Sequence, residues 1–280
     1  MSNAVYEVIN QRILDALEKG TIPWRKPWSG GGAARNLVSG KEYRGINSFI
    51  LNLSDYQSPY WLTFKQAKDL GGSVRKGEKG SPVMFWNFKE VTEDGKEKTI
   101  PICRYYTVFN VAQCDGIESP DALVFVNTFT PIERAEMIVK SFASCPAIEH
   151  GSKGAFYRPA NDTVSMPNRE TFDTPSDYYA VLFHELGHST GHEKRLNRDG
   201  IVHFNGFGSH SYSKEELVAE FTAAFLCGHA GIDNTLDRSA AYIASWLKVL
   251  RDNKTWLASA AGQAQKAADL ILNTNTKESE

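Results

Sequence analysis

The chain has 280 residues, long for a single core, so it holds one large domain or two smaller ones. A composition 41% hydrophobic, 11% aromatic and 23% charged excludes a disordered chain, and a net charge of −2 excludes a uniformly basic nucleic-acid binder. That total is uneven: residues 1–90 hold thirteen Lys/Arg against eight Asp/Glu (+5), and residues 91–280 hold eighteen against twenty-five (−7).

In chain order, Val5, Val8, Ile9, Ile13, Ala16 and Leu17 keep helical spacing, and Gly20 stops that helix. An irregular stretch rich in Pro, Gly and Trp follows, then short helices at Ile46–Leu53 and over TFKQAKDLGG. From Pro82 to Asn110, two aromatic and β-branched runs flank Glu93-Asp94-Gly95-Lys96, the pattern of a β-hairpin. Residues 113–130 are turn-rich and mark a domain boundary. Pro131–Phe142 reads as a helix, and GAFYRP with DTVSMP as a strand pair. Thr174 as N-cap and Pro175 at the first helical position open a helix that runs to Gly191. Ser213 opens the next, KEELVAEFTAAFL, and two more lie between about Ser239 and Leu272. No apolar run reaches the roughly 18 residues of a membrane span, and the mixed-charge N-terminus is not a signal peptide. Four scattered cysteines without a C-x-x-C point to a reducing compartment, the cytoplasm, and away from thiolate metal binding.

The sharpest motif is His184-Glu185-Leu186-Gly187-His188. On a helix, residues four apart share a face, so His184 and His188 can reach one ion. Glu185 is then placed to take a proton from water activated by that ion. A third histidine at the spacing H-E-x-x-H-x-x-G-x-x-H is missing: Gly191 fits, but position 194 is Lys194. The third ligand is therefore expected from KEELVAEF, where Glu216 and Glu220 share a face while Leu217, Phe221, Ala224 and Phe225 form another. Glu216 is favoured as ligand, with Glu220 as its alternative or as the hydrogen-bond partner of a ligand histidine. Ser213-x-x-Glu216 also spells a capping box, a competing use for Glu216. Tyr212, His210 and His192 are chemically suited to stabilise an oxyanion, with no signal choosing among them.

The basic half carries Trp24-Arg25-Lys26-Pro27-Trp28 and the turn Arg75-Lys76-Gly77-Glu78-Lys79-Gly80, with four of the chain's six tryptophans. Cations interleaved with aromatic platforms suit single-stranded nucleic acid. Aromatic residues in a small domain also build cores, so composition leaves both readings open.

Together these segments resemble the ArdC family of plasmid antirestriction proteins. GTIPWRKPW, SGKEYRGINSFIL, WLTFKQAKDLGGSVRKGEKG and YYTVFNVAQCDGI resemble its single-stranded-DNA-binding domain. FYRPANDTVSMP, HELGHSTGH and SKEELVAEFTAAFLCG resemble the zincin-like metallopeptidase domain that follows it. The resemblance implies an α+β chain: a DNA-binding domain over 1–115 that contains the hairpin, a linker over 116–130, a gluzincin-like domain over 131–272 and a disordered tail over 273–280. It implies Zn²⁺, with Mn²⁺ or Co²⁺ as alternatives, held by His184, His188 and Glu216 with Glu185 catalytic. The expected partners are single-stranded DNA, met by Trp24, Arg25, Lys26, Trp28, Arg75 and Lys76, and a DNA-bound or restriction-related protein substrate, with no membrane. The alternative is a DNA-shielding protein whose metal is structural.

Overall fold

The first helix, α1 (Ser2–Glu18), buries Val5, Ile9, Ile13 and Leu17 of the predicted stripe together with Leu14, whereas the predicted Val8 is 40% exposed; the helix ends before Gly20, whose φ of +77° suits a residue without Cβ. The computed structural model describes residues 2–25, 32–54, 56–93, 96–118, 120, 130–203, 210–232 and 240–274. The chain is mixed α and β and divides into two units. One comprises Met1–Pro23, Trp28–Phe125 and Ile243–Thr255; the other comprises Trp24–Pro27, Val126–Tyr242 and Trp256–Glu280. The sequence reading draws one boundary, whereas the units exchange two short segments. No helix among the described residues is long and apolar enough to cross a membrane.

In the first unit, β1 (Arg35–Asn36), α2 (Ile46–Asn52), β2 (Tyr60–Thr63), α3 (Phe64–Asp69), β3 (Ser73–Val74), β4 (Ser81–Glu93), β5 (Lys96–Asn110) and β6 (Cys114–Asp115) follow α1. The sheet order is β1-β2-β5-β4, parallel only between β1 and β2, with β3 and β6 as a separate antiparallel pair. The expected hairpin is β4–β5, paired from Ser81–Val108 to Glu93–Lys96; its turn residues Asp94 and Gly95 lie outside the described residues. Leu51, Trp61, Val83 and Val108 pack into a core beneath the sheet. Residues 243–255 return to α1, where Asn10 donates to the Leu250 carbonyl at 3.2 Å and Lys254 pairs with Glu7 at 2.7 Å.

The second unit opens with α4 (Pro131–Ser141), capped reciprocally by Thr130 and Glu133. The strands β7 (Ala147–His150), β8 (Phe156–Arg158) and β9 (Thr163–Met166) form a sheet in the order β7-β9-β8. The pair β8–β9 is the expected one; β7, parallel to β9, is an addition. There follow α5 (Pro175–Ser189), α6 (Asp199–Val202) and α7 (His210–Ala230); then α8 (Ala240–Asp252), which from Ile243 onward belongs to the first unit, and α9 (Trp256–Ile271), back in the second. The α5 start is as read: the Thr174 hydroxyl accepts from the Asp177 N–H, and Pro175 leads the helix. α7 packs against α5 on one side and α9 on the other, where Ala260, Ala261, Ala264 and Ala268 are buried.

Arg195, whose side chain is 4% exposed, fixes the chain just beyond α5. Its guanidinium donates to the Ser189 carbonyl at 2.7 Å, to the Ser144 carbonyl at 3.0 Å, to the Tyr157 hydroxyl at 3.2 Å and, in two places, to Asp162. Burial would raise the Asp162 carboxyl, but the bonds from Arg195 and Tyr157 outweigh it and hold the group below its ordinary range. A lowered carboxylate contributes stability above its unfolded pKa and loses it as pH falls through the folded value. Arg195→Ala should therefore cost about 2–3 kcal/mol at pH 7, and less as the pH is brought into the acid range. Denaturant melts across pH check this; a cost independent of pH would contradict it.

Candidate metal centre

The two helices that form the centre approach closely because position 187 has no side chain. A Cβ on Gly187 would sit 3.1 Å from the Ala219 Cα and 3.2 Å from the Thr222 Cβ of α7. At this contact the last turns of α5, with His184 and His188, face the first half of α7, with Glu215 and Glu216. The Glu216 carboxylate reaches both rings, 3.5 Å from His184 Nε2 and 3.4 Å from His188 Nε2, and the two Nε2 atoms are 3.1 Å apart. One donor atom from each of the three residues falls within a 4.8 Å cluster. Two imidazoles and a carboxylate, with ligand atoms this close, suit a divalent ion of the zinc class and leave a coordination position open. Glu185, 7% exposed, has no hydrogen bond or ion pair among the described residues.

Glu216 is inside α7, which begins at His210, so Ser213 is not an N-cap and the capping-box use of Glu216 does not arise. Glu220 is a correction. Its carboxylate accepts from Trp24 Nε1 at 3.3 Å, and the Trp24 ring meets Phe221 edge-on at 5.0 Å. The residue beside a histidine is instead Glu215, whose Oε1 lies 3.4 Å from His188 Nδ1. Glu215 is in turn gripped by Arg198, through Nε at 2.9 Å and Nη2 at 2.5 Å. Arg198 also donates to the Thr190 hydroxyl at 2.6 Å and the Gly187 carbonyl at 2.8 Å, locking the end of α5. Sequence reasoning missed Arg198, since nothing in its spacing from Glu215 signals a contact. Gly191, which fits the longer histidine motif, has a different use: a Cβ there would come 2.6 Å from Ile201 Cγ1 and 3.0 Å from Arg198 Nη2.

Trp24 is a second correction. It is 2% exposed, and a buried ring offers no stacking platform. Arg75 is exposed but engaged: Nη2 meets Glu78 at 2.8 Å and the Ala112 carbonyl at 2.6 Å, and Nη1 lies 3.6 Å from Asp115. Lys76 is exposed in the same turn. The side chains of Arg25, Lys26, Trp28, His210 and Tyr212 lie outside the described residues. His192 is buried, and its Nδ1 accepts from the Lys194 N–H at 3.2 Å, which commits the ring to the turn after α5.

The electrostatics favour a cation at the centre. Burial would lower the His188 pKa, but the Glu215 and Glu216 carboxylates outweigh it and raise it to about 10. Burial likewise works against Glu216, yet its bonds to His184 and His188 hold it far below the carboxylate range. A raised histidine pKa stabilises the metal-free fold fully below its unfolded value and is lost as pH rises through about 10. A divalent ion must displace that proton, so its apparent affinity should rise about tenfold per pH unit between pH 7 and 9. Calorimetry in buffers of different ionisation heat measures the proton released; an affinity flat with pH would contradict this.

Comparisons with known proteins place both parts of the chain in known families. Residues 133–263 match the model of a zincin-like metallopeptidase family, and residues 3–109 match that of the N-terminal domain of the anti-restriction factor ArdC. The crystal structure of the antirestriction ArdC protein from plasmid R388, metal-free, is 39% identical, with a TM-score of 0.76 over 95% of this chain and 96% of that one. Its Mn(II)-bound form is 38% identical, also with a TM-score of 0.76, over 98% and 99%. A DNA primase TraC from Escherichia coli is 37% identical over 98% of this chain, which spans only 27% of that protein's length. An uncharacterized protein y4eC of Sinorhizobium fredii is 37% identical over 95% of this chain and 90% of its own. With both of its domains matched in order and the R388 ArdC protein aligned over nearly its full length, the chain belongs to the ArdC antirestriction family.

Proposed function

We propose that the chain is a cytoplasmic, single-stranded-DNA-binding antirestriction protein with a zinc metallopeptidase site, acting on a DNA-associated protein or protecting incoming plasmid or mobile-element DNA. One observation carries the peptidase reading: His184, His188 and Glu216 converge within 4.8 Å, beside a buried carboxylate, Glu185, that has no partner among the described residues. His184, His188 and Glu216 would hold the ion, with Glu215 orienting His188 from behind. Zn²⁺, when bound, supplies Lewis acidity to a peptide carbonyl and lowers the pKa of water towards about 7. Glu185 takes the proton from the attacking water and returns it to the leaving amine. Mn²⁺ suits the same donor set, and the R388 relative has a Mn(II)-bound crystal structure. The DNA reading is supported by the matched N-terminal family, by relatives named DNA primase and by the +5 charge of residues 1–90. The cytoplasmic reading is supported by four free cysteines.

Glu185→Gln keeps the size and hydrogen bonding of the side chain and removes the base. Incubated with Zn²⁺, single-stranded DNA and restriction-enzyme subunits, the wild type should cleave its protein target, with the rate falling at least about a hundredfold in Glu185→Gln. Metal content should be the same in both. If the wild type cleaves no better than the variant under every condition, the ion is structural and the peptidase reading fails.

A further inference from the structure

The hairpin outruns its sheet. β2 pairs with β5 only over residues 108–110, whereas β4 and β5 stay paired for thirteen positions, so beyond Val83 the arm is two-stranded. Cross-strand partners share a face, and successive residues alternate between faces. One face is covered by α1 only at its base, where Met84 and Cys103 are buried and the Trp86 ring is 6.5 Å from that of Tyr6. Further out it exposes Trp86 (45%), Tyr105 (46%) and Phe88 (71%), with no Lys or Arg among Met84, Trp86, Phe88, Pro101, Cys103 and Tyr105. The opposite face starts in the core at Val83 and Val108 and then emerges into solvent.

On the emergent face, Phe85 is 45% exposed, Tyr106 44% and Ile100 45%. The Phe85 and Tyr106 rings meet edge-on at 5.7 Å. Arg104 is paired with Phe85 and Lys89 with Ile100, and both cations are exposed. Between Phe85 and Lys89 and between Ile100 and Tyr106 this face holds no carboxylate; the first acidic residue along β4, Glu90, is on the other side, paired with Thr99. Both faces of the arm expose rings, but this one alone sets cations, Arg104 and Lys89, beside them. A second copy docked on the same face would set Arg104 and Lys89 against their own kind. A duplex keeps its base faces stacked internally, so rings offer it little. A single strand presents free base faces and phosphates together.

We propose that the face carrying Phe85, Tyr106, Arg104 and Lys89 is where the chain binds single-stranded DNA, bases stacking on the two rings and phosphates pairing with the two cations. This rests on the DNA-binding reading above and gives it a location away from Trp24.

The test is fluorescence polarisation of a labelled oligodeoxythymidine against the full chain, with melting temperatures as a check on folding. Phe85→Ala with Tyr106→Ala should weaken binding by about tenfold to a hundredfold, and Phe85→Trp with Tyr106→Phe should restore it. Arg104→Gln and Lys89→Gln should each reduce the slope of log affinity against log salt by about 0.7. Tyr105→Ala, on the opposite face, should leave affinity unchanged. If the wild type binds and the ring and cation variants match it, the proposed surface is wrong while the DNA reading stands. A wild type that does not bind overturns both. Variants that change only the oligomeric state assign the face to self-association and overturn the proposal.

Discussion

The centre depends on the contact between α5 and α7 at Gly187. Where a side chain would collide with Ala219 and Thr222, glycine lets the helices close until a single carboxylate on α7 spans two imidazoles on α5. Helical spacing then separates the three acidic residues of α7. Glu216 faces the histidines; Glu215, about 100° around the helix, meets His188 from its other nitrogen; Glu220, one turn on, points to Trp24. Three residues of one kind thus acquire three different settings from geometry alone.

The same contact explains how so much charge is tolerated at low exposure. Glu215 is compensated by Arg198, and Glu216 by a protonated His188, a position that a divalent ion takes over when it binds. Arg195 and Arg198 anchor the segment after α5 to the sheet and to α7, so the histidine-bearing turn is held from two directions. A ligand set fixed this way needs little rearrangement on metal binding.

Much of the centre was legible because its determinants are local. The four-residue histidine spacing, the Thr174 cap and Pro175 each lie within or at the start of one helix, and two aromatic, β-branched runs around Glu93-Asp94-Gly95-Lys96 exposed the hairpin. Glu216 could be favoured over Glu220 but not separated from a capping role until the start of α7 at His210 was known. Glu215 and Arg198 were illegible, since their pairing joins segments seventeen residues apart across a turn. Trp24 looked like a surface platform because a Trp beside Arg and Lys has no sequence mark of burial; its indole in fact serves Glu220 and Phe221. Strands of two to four residues, such as β1, β3, β6 and β7, are too short for periodicity to show. The return of residues 243–255 to the first unit leaves no compositional trace. The opening charge of −2 is likewise a sum over unlike parts: residues 1–90 at +5, and residues 91–280, which hold the candidate metal centre, at −7.

The most direct measurement is an anomalous-difference map from crystals of this protein grown with Zn²⁺. A single strong peak bonded to Nε2 of His184, Nε2 of His188 and a Glu216 oxygen, with Glu215 still on Nδ1 of His188, is the predicted result. A peak ligated by Glu215 or Glu220 in place of Glu216, or no peak between the two histidines, would contradict it.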